Sequence, residues 1–140
     1  MFTLHPRLAA DTHPVADWPL CRVLLMNDAR YHWLILVPMR EGIREIHELE
    51  PEELQQLMAE ITAASKALCA TVPQDKINVG ALGNMVPQLH IHVIARRIGD
   101  AAWPGPVWGN GTAVPYAEGE VGKLADRLRE ALGGHFAAIT

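Results

Sequence analysis

The sequence predicts an α+β domain built on an antiparallel sheet, and three observations carry that reading. Two apolar runs, residues 20–26 and 33–37, are separated by the turn-forming Asn27, Asp28, Ala29 and Arg30, which marks neighbouring strands joined by a hairpin. Beyond Pro51, the residues Leu54, Leu57, Met58, Ile61 and Leu68 recur at helical spacing and define one apolar stripe. Nowhere do strand and helix alternate as a parallel crossover unit requires.

At 140 residues the chain fits one domain, 1–140, with a core over about 20–97, a loop over 98–120 and a terminal helix over 121–134. Its 49% hydrophobic and 20% charged residues exclude a disordered chain. No apolar stretch reaches the roughly 18 residues of a spanning helix, and the N-terminus lacks a basic start followed by an apolar core. A cytoplasmic, membrane-free protein is therefore expected. Cys21 and Cys69 lie in apolar surroundings and read as buried free thiols of a reducing compartment. A formal net charge of −4 argues against polymeric nucleic acid, whose binding rests on clustered Lys and Arg.

Residues 1–19 hold several prolines and histidines with little periodicity, so irregular structure is expected there, with Trp18 as a buried anchor. The run 20–26 reads as the first strong strand. The run 33–37, stopped by Pro38, belongs in mid-sheet, because proline cannot donate to a ladder. Apolar residues around Ile43 and Ile46 predict a minor strand. Pro51 suits a first helical position, Glu52 and Glu53 suit the positive end of the helix dipole, and Val72 with Pro73 closes that helix. Residues 76–81 follow as a short strand. Residues 99–118 are rich in glycine and proline with Trp103, Trp108 and Tyr116, and form either a substrate lid or a loop whose aromatics are packing anchors. Val121, Leu124, Ala125, Leu128, Ala131 and Leu132 form a last helical stripe, stopped by Gly133 and Gly134.

The stretch VPQLHIHVI, residues 86–94, places two imidazoles two residues apart in an alternating apolar segment, read as a strand over about 89–96. Strand side chains alternate, so Gln88, His90 and His92 share one face while Leu89, Ile91 and Val93 share the other. The preceding Gly80, Ala81, Leu82, Gly83 and Asn84 supply glycines that let backbone approach a ligand, which makes the His face a candidate anion pocket. Arg96 and Arg97 suit one small phosphorylated ligand or are a solvated strand end. On residue type alone the histidines serve as nucleophile, proton carrier, metal ligand or phosphate donor, or are ordinary histidines of a half-exposed sheet.

Gly83, Asn84, Met85, Val86, Pro87, Gln88, Leu89, His90, Ile91, His92, Val93 and Ile94 together resemble the signature of the histidine triad (HIT) family. There the pattern is Gly-Gln-x-Val-x-His-x-His-x-His followed by apolar residues, with Gln88 here at the first triad position. The 33–38 strand, the Pro51 helix, and Asn78 with Gly80 also fall in the family's order, over about 20–97. The resemblance implies a HIT-like fold with about five antiparallel strands, a two-fold homodimer, and a nucleotide or dinucleotide with its α-phosphate over the His face. His90 matches the nucleophile and His92 the histidine that hydrogen-bonds a phosphate oxygen. Gln88 donates a hydrogen bond but carries no proton, and Gln88→His is expected to preserve or raise turnover. Asn27 or Asp28 would face the ribose, and Asn78 would touch phosphate or order the loop. Gly83 and Asn84 would lie along the substrate, Asn84 being shorter than the usual Gln and Met85 lacking the usual hydroxyl. No cofactor and no metal is implied.

The implied activity is nucleotidyl hydrolysis or transfer on a nucleoside phosphoramidate or dinucleoside polyphosphate, through a nucleotidyl-histidine. Two alternatives stay open: a nucleotide-binding regulatory module with weak or no catalysis, and a metal site on His90 and His92 with His32, His47 or Asp100 as candidate third ligand.

Overall fold

The computed structural model describes residues 1–133. The elements in chain order are α1 (Pro6–Asp11), β1 (Thr12–Asp17), β2 (Cys21–Met26), β3 (His32–Pro38), a 3₁₀ turn (Ile46–Glu48), α2 (Pro51–Thr71), β4 (Lys76–Gly80), β5 (Ile91–Arg96) and α3 (Glu120–Leu132). The five strands form one antiparallel sheet in the order β1-β2-β3-β5-β4. This is the expected α+β architecture, and Gly134, expected to share in stopping the last helix, lies outside the described residues. None of the described helices is long and apolar enough to cross a membrane.

The two middle strands are held most strongly. Trp33 to Pro38 of β3 and all of β5 are buried, and each fully buried Leu, Ile or Val contributes about 1.5–3 kcal/mol. Their side chains alternate between two cores. Leu34, Leu36, Ile91, Val93 and Ala95 pack on one face against Leu57, Ala64 and Leu68 of α2 and Leu124 and Leu128 of α3. Trp33, Ile35, Val37 and Ile94 pack on the other face with Leu8, Tyr31, Val86, Ala102 and Val107. Both faces of the sheet are therefore covered, the second by α1 and the 99–118 loop.

Four expectations need correction. Residues 1–19 are ordered: Pro6 opens α1, His5 caps it by accepting from the Arg7 N–H at 3.1 Å, and β1 tolerates Pro14 because it is an edge strand whose pairing slips between Pro14 and Ala16. Around Ile43 and Ile46 there is no strand but the 3₁₀ turn, while the Ile43 carbonyl accepts from the Leu89 N–H at 3.0 Å. The buried stripe of α2 is Leu57, Glu60, Ala63, Ala64, Ala67 and Leu68, with Met58 62% exposed. Small alanines let the helix sit close to the sheet, and Glu60 is buried because its carboxylate accepts from the backbone N–H groups of Leu20 at 2.9 Å and Cys21 at 2.8 Å. Cys69, on the outer side of α2, is exposed; only Cys21 is buried, and burial pushes its thiol pKa up.

Candidate functional site

The strand β5 begins at Ile91, two residues later than the sequence pattern suggests, so His90 stands at its mouth and His92 one step inside. Both imidazoles are buried, at 6% and 5% exposure, on the face of the sheet opposite Ile91 and Val93. Their ring centroids are 4.9 Å apart, edge to face.

The partners of the two rings fix where their protons sit. Nδ1 of His90 lies 2.7 Å from the backbone carbonyl of Gln88. A carbonyl only accepts, so Nδ1 carries the proton and Nε2 keeps its lone pair. Nδ1 of His92 instead accepts from the indole Nε1–H of Trp33 at 3.0 Å. His92 is further enclosed by Trp33 at 5.6 Å and Trp108 at 5.3 Å between ring centroids. Burial, with His90 alongside, pulls the His92 pKa down to about 4, which keeps the ring neutral near pH 7.

On the His90 side the surface opens into a cleft of about 460 Å³. It is lined by Arg44, Glu45, Ile46, His47 and Leu54, by Ala81, Leu82 and Gly83, and by Leu89 and His90. Gly83 turns with φ +74°, a left-handed conformation that glycine adopts without strain. On the His92 side the site is closed, since a Cβ at Gly80 would come within 2.9 Å of the Trp108 ring. Trp108 Nε1 is a buried donor with no hydrogen-bond partner among the described residues.

The pattern described as the HIT domain matches residues 7–99. The chain belongs to the HIT domain family. A histidine triad protein from Marinobacter aquaeolei VT8 is 52% identical, over 96% of this chain and 98% of that one, with a TM-score of 0.93. Another from Sinorhizobium meliloti 1021 is 49% identical over 94% and 97%, with a TM-score of 0.91. One from Bradyrhizobium japonicum is 47% identical over 94% and 98%, also at 0.91. No curated protein matches the chain.

Within this HIT domain the remaining candidates divide between the site and its supports. Gly83 lines the cleft, and Asn84 and Met85 are exposed on the same loop. Gln88 does not present its amide beside the imidazoles: its Oε1 accepts from the His5 N–H at 2.8 Å and its Nε2 donates to the Thr3 carbonyl at 2.9 Å. Asn27 and Asp28 lie beyond the far end of the sheet. His32 pairs with Ala95 and Leu36 with Ile91, so the hairpin turn is some five residues, about 17 Å, along the strands from His90. There Asn27 accepts from the Tyr116 N–H, while Asp28 holds Arg30 and the Val114 N–H. These two residues anchor the long loop and are not at the His90 cleft.

Arg96 was a candidate for phosphate and is instead 1% exposed, paired with Asp100 at 2.8 Å and donating to Asn78 Oδ1 at 2.8 Å. Its guanidinium lies 5.7 Å from the ring centroids of both Tyr31 and Trp103. Asn78 thus helps fix Arg96 at the start of the 99–118 loop, and Arg97 is the exposed member of the pair. The same arrangement makes 99–118 a pinned cover, its tryptophans serving as anchors. Of the candidate third metal ligands, Asp100 is held by Arg96, His32 pairs at the other end of β5, and His47 lines the same cleft as His90, but no group of three or more His, Cys, Asp or Glu among the described residues is placed to hold an ion.

Sequence reading missed Trp33 as a partner of His92, and Arg44, Ile46 and Leu54 as lining of the cleft. Trp33 looks like one more apolar residue of a buried strand. Only the register, which pairs Trp33 with Ile94, puts it on the histidine face.

Proposed function

We propose that this HIT protein is a nucleotidyl hydrolase or transferase acting at the α-phosphate of a nucleoside phosphoramidate or dinucleoside polyphosphate. The observation that carries this is the orientation of His90, whose Nδ1–H is held by the Gln88 carbonyl while the residue lines the cleft together with Arg44, His47 and Leu82. A neutral imidazole with its proton parked on Nδ1 is a ready nucleophile at Nε2. In the first step Nε2 bonds to phosphorus, and the bond from phosphorus to the leaving group breaks with its electron pair, an amine taking up a proton from solvent as it departs. In the second, water attacks the same phosphorus and gives up a proton to solvent, the P–N bond to His90 breaks with its pair returning to Nε2, and the nucleoside monophosphate leaves. The neutral Nε2–H of His92 donates to the oxygens that gain charge between these states. Apolar Ile46, Leu54 and Leu82 suit the flat faces of a nucleobase or an uncharged leaving group, with Arg44 at the anionic portion. The ligand is thus a small nucleotide or dinucleotide, and the family's two-fold pairing belongs to the same reading.

Gln88 favours a second reading. At the position where the family pattern has its first histidine, this side chain is committed to the N-terminal segment and has no proton to offer, which suits a nucleotide-binding regulatory module with little turnover. The two readings are separated by mixing the protein with adenosine phosphoramidate or a diadenosine polyphosphate, quenching without acid and analysing peptides by mass spectrometry. The enzyme reading predicts adenylate mass on the His90 peptide, lost in His90→Ala together with product release. Calorimetric binding with neither adduct nor product selects the regulatory module.

A further inference from the structure

His92 and His90 are two residues apart on one strand face, yet their surroundings place the ring proton on opposite nitrogens. On His90 a backbone carbonyl takes the Nδ1 proton. On His92 an indole N–H points at Nδ1 from 3.0 Å, and an indole nitrogen only donates, so that Nδ1 has to be the unprotonated nitrogen and the single proton of the neutral ring sits on Nε2. We propose that Trp33 is a positioning residue that locks His92 as an Nε2–H donor, leaving His90 as the one imidazole of the pair able to attack. Its use in nucleotidyl transfer rests on the function proposed above; the lock itself does not.

The placement of Trp33 supports this. It pairs with Ile94 across β3 and β5, and His92 lies two residues before Ile94 on the same face, so the two side chains are diagonal neighbours within reach of an indole. Both are about 95% buried, so water does not compete for Nδ1. Trp108 closes the other flank, edge-on to His92 and seated over Gly80, the residue paired with His92 across β4 and β5. To escape the Trp33 donor, the imidazole would have to displace one of two packed indoles. Without that donor the ring would exchange between tautomers, and for part of the time would turn a lone pair, rather than a proton, toward the phosphate oxygens.

The test is long-range ¹H–¹⁵N NMR on histidine-labelled protein at pH 7, which reads the tautomer of each ring directly. The expected wild-type spectrum shows His92 protonated at Nε2 and His90 protonated at Nδ1. Trp33→Phe keeps an aromatic ring in the core while removing the N–H; it is expected to move the His92 Nδ1 and Nε2 shifts toward exchange-averaged values and to slow single-turnover adenylate release about 10- to 100-fold, with nucleotide affinity changed far less. A wild-type His92 protonated at Nδ1 overturns the proposal, as do an unchanged His92 tautomer and rate in Trp33→Phe. If Trp33→Phe does not fold, the wild-type spectrum alone decides. Absence of turnover by the wild-type protein removes the enzyme reading, while the spectrum still decides the lock.

Discussion

Gln88 joins two roles that act through different atoms. Its backbone carbonyl holds the Nδ1 proton of His90, whereas its side-chain amide spends both polar groups on Thr3 and His5. The sequence shows which residue stands there, but not which way it faces, because the strand rule that put Gln88 beside the histidines assumes a strand and β5 begins only at Ile91. The expectation that Gln88→His preserves or raises turnover is replaced by one that follows from the contacts. Gln88→Ala removes both side-chain bonds and leaves the carbonyl in place. It is expected to cost about 1–2 kcal/mol of stability, as two partly exposed hydrogen bonds do, and to open residues 1–5 to proteolysis. Adduct formation on His90 is expected to survive. Urea unfolding, limited digestion and the adduct assay measure the three outcomes separately; loss of adduct with residues 1–5 still protected would mean that the side chain itself serves the site.

Among the elements, α2, α3 and the middle strands are legible because their burial is written in periodicity, whereas α1 and the destinations of the 99–118 loop are not. Its aromatics are visible in the sequence, but their destinations depend on residues far away in it: Trp103 on Arg96, Trp108 on Gly80 and His92, the Tyr116 hydroxyl on the Tyr31 carbonyl. Arg96 shows the limit most plainly. A fully buried arginine is tolerable only when paired, and the pairing with Asp100, which holds that carboxyl at about pKa 2, depends on the loop folding back, which no periodicity encodes. Gly80 tests the cover directly. Gly80→Ala would place a methyl 2.9 Å from the Trp108 ring, and that ring cannot yield without leaving His92. The substitution is expected to destabilise by about 1–3 kcal/mol despite alanine's better strand propensity, and to red-shift tryptophan emission as Trp108 moves toward water. Wild-type stability and emission would show the cover to be loosely seated.

At the scale of the whole molecule, the antiparallel α+β class followed from hairpin spacing, but the fifth strand did not. It is formed by β1, which Pro14 and the pairing slip disguise, and its place beside β2 closes the sheet edge opposite β4. Covering both faces of that sheet places His92 in a site drier than its sequence neighbours suggest, and this has a consequence for stability. The His92 pKa falls from 6.5 to about 4 in the folded protein, through burial first and His90 second. Below pH 6.5 the unfolded chain therefore takes up a proton that the folded chain refuses, so the stability present above about pH 6.5 is lost as pH falls toward 4. His32, lowered chiefly by burial, adds with the same sign, while Asp100 acts only at lower pH, as its pairing with Arg96 is titrated away. His92→Gln retains an acceptor for the Trp33 N–H but does not titrate. Between pH 7 and pH 4.5 the wild-type protein is expected to lose about 2 kcal/mol more unfolding free energy than His92→Gln, measured by urea titration at each pH. Parallel losses in the two proteins would mean that His92 takes up its proton as readily folded as unfolded, and that the two indoles do not keep it dry.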